Sequence, residues 1–200
     1  MNRPVLDVSG LPAIAFGPAA TLWWGVLGLL VIEGSAFAMA GAAYIYLHGN
    51  FQTWPPAGIA SPDISAATAE LFVLLASVVP MALVDFAARR RWLVTTRMGL
   101  AASILFGLVA MWLRALQFHG ALNCRWDTNA YGSLIWLLLG MHAVHVLTST
   151  IENALVLTVL TLHVEQKDFV DAHSNAFYWY FVVATWIGVY VLVYLVPRWS

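Results

Sequence analysis

The sequence predicts an all-α integral membrane bundle of five transmembrane helices. Three observations carry that prediction. Hydrophobic residues make up 62% of the 200-residue chain, against roughly 45–50% for an average globular protein. Charged residues are 10%, where about 25% is usual, and 9 Lys+Arg with 10 Asp+Glu cannot clothe a water-soluble fold of this size. Finally, the apolar residues are gathered into five runs, each near or above the ~20 residues that a helix needs to cross a bilayer at about 1.5 Å per residue.

In order, the runs lie near residues 20–47, 66–88, 98–119, 131–162 and 176–196. The first and fourth exceed the minimum and are expected to tilt or to project beyond the hydrocarbon. The intervening polar segments are short, so residues 1–200 form a single transmembrane domain. Met1–Ala20 holds no apolar run long enough for a cleaved signal peptide, and the first span is expected to be retained. With the N-terminus in the cytoplasm, Arg3, Arg89, Arg90, Arg91, Arg97 and Lys167 fall inside, and Arg114, Arg125 and Arg198 outside. The excess of basic residues in cytoplasmic loops therefore places the N-terminus in the cytoplasm and the C-terminus in the periplasm. Trp23, Trp24 and Trp92 on one side, and Trp54, Trp126 and Trp199 on the other, are expected at headgroup depth.

Other classes are disfavoured. A net charge of -1 offers no basic field for nucleic acid. One cysteine, Cys124, excludes an intramolecular disulfide framework and a cysteine-ligated cluster. No Gly-rich phosphate loop or Cys/His zinc spacing is present.

Ionisable groups inside spans are costly and mark functional candidates. Glu33 lies 13 residues into the first span, about 20 Å along its axis. Small residues surround it, so a neighbouring helix can approach closely. Its carboxyl is either a neutral group hydrogen-bonded between helices or a proton-exchanging one. On the fourth span, His142 and His145 are spaced i, i+3 and share a face that Ser149 and Glu152 continue. Span one runs the opposite way, and Glu33 sits at a depth similar to the histidines, so a Glu33–His142 or Glu33–His145 hydrogen bond is expected. Glu33, His142, His145 and Glu152 thus form the candidate polar cluster, structural or proton-relaying.

Two histidines three apart on one helix cannot ligate opposite faces of one haem iron, and three ligands are thin ground for a metal. No catalytic group, cofactor site or metal site is expected in this chain. Asp85 balances the charge of the arginine block beside it. Arg114 and Gln117, near the end of span three, are expected to snorkel to the interface. Glu165, Lys167, Asp168, Asp171 and His173 read as a solvated loop, or as a surface proton collector feeding a neighbouring subunit.

Five segments, in this order, carry a family resemblance. They are Glu33 with Phe37 and Tyr44-Ile45-Tyr46; Trp54-Pro55-Pro56-Ala57-Gly58-Ile59; Leu74-Leu75-Ala76-Ser77; Tyr131-Gly132-Ser133 leading to Gly140-Met141-His142-Ala143-Val144-His145-Val146; and Asn175-Ala176-Phe177-Tyr178-Trp179-Tyr180-Phe181-Val182. Together they resemble subunit III of haem–copper terminal oxidases in its short five-helix form. The departures are Tyr180 and Val183 where the family's last helix has His and Asp, Gln117 where span three often has Glu, and an added Glu152.

The resemblance implies a noncatalytic subunit in the inner membrane of a bacterial cell. It would pack on subunit I, with subunit II and small subunits nearby, bind phospholipid and support proton uptake. Haem and copper would then lie in the partner subunits of an enzyme that reduces O2 to water and pumps protons. Alternatives are an accessory protein of a nitric oxide reductase or other respiratory complex, and an independent membrane transporter.

Overall fold

A computed structural model describes residues 15–199. Arg3, counted above for orientation, lies outside the described residues. Five helices in it are long and apolar enough to cross a membrane: α1 (Thr21–Asn50), α2 (Ser65–Arg89), α3 (Leu93–Leu116), α4 (Ala130–Leu162) and α5 (Gln166–Tyr190). A 3-10 turn at Gly17–Ala19 precedes α1, and a last helical stretch, α6 (Val196–Trp199), follows α5. Among the described residues there is no strand. An uncovered sheet edge could not satisfy its backbone groups in hydrocarbon, whereas a helix does so internally.

Helices α2, α3, α4 and α5 pack on one another around the core, while α1 lies outside them against α4 and α5. Only Ala40, Gly41 and Tyr44 of α1 are buried. The core is filled by Leu74, Met81, Leu100, Ile135, Leu138, Trp179, Trp186 and Tyr194, all with almost no exposed surface. Close approach of α3 to α4 depends on Gly107, where an added Cβ would stand 2.2 Å from Thr150 Oγ1. Pro80 sits within α2 without interrupting it; neighbouring helices and side chains make such prolines tolerable in a membrane.

The α2–α3 turn is closed by two backbone bonds, Arg91 N–H to Ala88 O at 3.0 Å and Trp92 N–H to Ala87 O at 2.9 Å. This is the Schellman pattern, which needs a left-handed residue just past the helix. Arg91 supplies it at φ 58°.

Four of the expected spans match their helices within two or three residues at each end, except that α3 begins five residues earlier than expected. The fifth begins ten residues earlier, at Gln166 instead of 176. Its polar opening is amphipathic: Phe169, Ala172, His173 and Ala176 face inward at the 3–4 residue spacing of a helix face. Asp168 accepts the Glu165 N–H at 2.7 Å and caps the first turn. The Glu165–His173 segment is therefore not a solvated loop, for Asp168 and His173 are nearly fully buried. Trp54 also departs from expectation. It is buried beneath the α1–α2 loop, donates to Tyr44 Oη at 2.7 Å and meets Tyr131 edge-on, whereas Trp24, Trp92, Trp126 and Trp199 are exposed.

Candidate functional site: two polar clusters in the bundle

The deepest polar cluster gathers residues from α2 to α5 and from the two widened, π-type turns that extend α3 (Gln117–Ala121) and α5 (Val191–Leu195). Arg114 Nη2 lies 2.9 Å from Glu70 Oε1, both side chains being about 1–2% exposed. The other carboxylate oxygen accepts from Gln117 Nε2 at 2.6 Å. Gln117 Oε1 in turn accepts from Arg114 Nη1 at 3.0 Å and from Tyr194 Oη at 2.7 Å. The guanidinium lies over the Trp186 ring, 4.1 Å from its centre, an arrangement favoured when the cation is desolvated.

His142 closes this cluster. Its Nδ1 stands 3.0 Å from Arg114 Nη2, and its Nε2 stands 3.1 Å from Val182 O. A guanidinium can only donate and a carbonyl only accept, so Nδ1 is bare, Nε2 carries the proton, and the ring is neutral. The cluster then sums to zero charge and uses both nitrogens of His142. It has no open position from which to move a proton, and it locks four helices together.

Arg114 and Gln117 are consequently not snorkelling side chains: both are buried. The reason is Glu70, which supplies a counter-charge and makes the interior cheaper than the interface for this pair. The sequence reading passed over Glu70. A usable signal existed, since Glu70 lies five residues inside α2 and Arg114 two before the end of α3, putting opposite charges at similar depth from one membrane face.

The second cluster joins α1 to α4 and α5. His145 Nε2 and Glu33 Oε2 are 3.5 Å apart, with side chains 14% and 21% exposed. His145 Nδ1 is 2.6 Å from Met141 O, so Nδ1 holds a proton and Nε2 faces the carboxyl. One further proton can sit on either partner, as a carboxylic acid beside a bare nitrogen or as a carboxylate beside an imidazolium. Glu33 Oε2 is buried and has no hydrogen-bond partner at closer range. The Tyr178 hydroxyl stands beside Glu33 and Thr148, with Glu152 also near it. Glu152 accepts from the Asn175 amide at 3.1 Å when that amide turns its nitrogen toward it.

Of the four expected cluster residues, Glu33, His145 and Glu152 share this site, and His142 belongs to the other. Asp85 pairs with Arg89 at 3.0 Å, as charge balance requires, and also accepts from His173 Nδ1 at 2.5 Å. Tyr180 is partly exposed, and Val183 packs into the apolar core. Ser77 of the Leu-Leu-Ala-Ser segment accepts from Trp179 Nε1 at 2.8 Å and so ties α2 to α5. Among the described residues no group of three or more His, Cys, Asp or Glu is placed to hold a metal ion.

Comparison with known proteins adds a family. The profile described as cytochrome c oxidase subunit III matches residues 22–199. The chain is 26% identical over 175 residues to cytochrome c oxidase subunit 3 of Oncorhynchus mykiss, covering 83% of this chain and 67% of that one. It is 27% identical over 175 residues, with the same coverage, to the protein of that name from Cyprinus carpio. It is 28% identical over 134 residues to that of Corynebacterium diphtheriae, covering 62% of each chain.

Proposed function

Since the chain belongs to the cytochrome c oxidase subunit III family, we propose that it is the noncatalytic subunit III of a bacterial haem–copper terminal oxidase, lying in the inner membrane with its N-terminus in the cytoplasm. It packs on subunit I, with subunit II and small subunits nearby, binds phospholipid on its apolar faces, and supports proton uptake. Haem and copper belong to the partner subunits, where O2 is reduced to water and protons are pumped. The carrying observation is the Glu33–His145 pair, a half-buried acid and base sharing one proton in a chain matched by this family along nearly its whole length. Glu152 and Tyr178 extend that pair toward the α4–α5 turn, while His142 is structural.

Purification of the native complex through a tag on this chain should bring down a haem-bearing membrane subunit, with all reduced-minus-oxidised bands belonging to that partner. Recovery of the chain alone, with haem bands of its own, would overturn the assignment. Within an intact complex, Glu33→Gln should slow proton uptake at alkaline pH. Unchanged uptake would remove Glu33 from the relay.

A further inference from the structure

A crevice of about 280 Å³ opens between α1, α4 and α5 near the end of the bundle where α4 stops and α5 starts. Its polar wall consists of Glu152 on α4 with Asp171, Ser174, Asn175 and Tyr178 on α5; the rest is aliphatic. These groups descend in steps. Asp171, Ser174 and Tyr178 lie 5, 8 and 12 residues into α5, or about 8, 12 and 18 Å along its axis. Glu33 lies 12 residues into α1, about 18 Å from the same face. Asp171 is exposed at the mouth. Ser174 is 6% exposed and lines the crevice, and its hydroxyl has no partner. At the inner end, Glu33 Oε2 also lacks one. Buried polar atoms are seldom left without partners, and a cleft of this size with several polar groups has room for a file of waters at ~30 Å³ each. Tyr178 lines the crevice and its hydroxyl stands beside Glu33, so the crevice and the pair are continuous.

We propose that this crevice is a water-filled proton entry, leading from Asp171 past Ser174, Glu152 and Tyr178 to the Glu33–His145 pair. The proposal rests on the reading that this pair handles protons. A proton arriving on the last water raises the pair from one shared proton to two, and its departure restores one. No electron moves, and no bond between heavy atoms forms or breaks.

The experiment places a thiol in the crevice of the assembled complex, in lipid nanodiscs, with Cys124→Ser as background. Ser174→Cys is compared with Val79→Cys, a lipid-facing position 64% exposed and 10 residues from the end of α2 on the same face. A permanently charged, membrane-impermeant thiosulfonate should modify Ser174→Cys faster than Val79→Cys by more than an order of magnitude. Equal rates, or modification of Ser174→Cys by an uncharged lipid-soluble reagent alone, would show a crevice filled by acyl chain and overturn the proposal. Should Ser174→Cys fail to assemble, Asn175→Cys carries the same comparison. A reagent that enters while Glu33→Gln leaves proton uptake unchanged upholds the hydrated crevice and removes the relay reading. Exclusion of the reagent with a slowed Glu33→Gln does the reverse.

Discussion

Removing the Glu70 carboxylate leaves the Arg114 guanidinium enclosed by Trp186, His142 and Gln117 with no counter-charge. Breaking a buried pair in this way typically costs about 3–5 kcal/mol, whereas replacing both partners with apolar groups of similar volume is often nearly neutral. Glu70→Ala and Arg114→Ala should therefore each lower the thermal midpoint of the detergent-solubilised protein sharply, and Glu70→Leu/Arg114→Met should recover much of the loss. A double variant as unstable as the sum of the singles would show that the pair contributes nothing beyond its parts. Neither member was evident from the sequence as half of a pair, because 44 residues separate them and each taken alone sits near a helix end. Cys124 offers a second check outside the spans. Burial pushes its thiol up to about 11, so little thiolate exists at neutral pH, and the thiolate is the reactive form. Alkylation by iodoacetamide should be slow at neutral pH, climb about tenfold per pH unit, and level off only above about 11. A plateau reached near the ordinary thiol value would contradict the burial.

Between helices, the decisive contacts involve small residues. At Gly107 a side chain would displace Thr150, whose hydroxyl already donates to Val146 O at 2.7 Å. Gly107→Val should force α3 from α4 and destabilise the bundle by about 1–3 kcal/mol, the usual cost of overpacking. Pairing it with Thr150→Ala should restore part of that loss, as measured by thermal unfolding. The spans themselves were legible because a run of twenty apolar residues has few alternatives in a chain this poor in charge. The start of α5 was not. Gln166–Asn175 is polar enough to pass for a loop, and only the inward placement of Phe169, Ala172, His173 and Ala176, with the Asp168 cap, makes it helix. The i, i+3 spacing of His142 and His145 correctly put them on one face of α4. Periodicity cannot tell which neighbour each one meets, and that difference separates a locked, neutral ring from one facing a carboxyl.

Across the molecule, α1 is the least embedded helix. Its polar ties are Glu33 to His145 and Tyr44 to Trp54. In detergent, Glu33→Ala should speed amide hydrogen exchange in α1 while leaving α2 and α3 unchanged; equal acceleration throughout would mean that the pair supports the whole bundle. The opposite end of the bundle behaves differently, because Gln117 and Tyr194, which bond to each other, both come from turns of π geometry. Such a turn holds one residue more than its α counterpart. Excising a single amino acid from Gln117–Ala121 would thus convert it to ordinary winding and rotate the chain on either side by about 100°, swinging Gln117 off Glu70. Helix length is accordingly fixed to the residue at these two places, and a one-codon deletion there should do more harm than many substitutions in the lipid-facing surface.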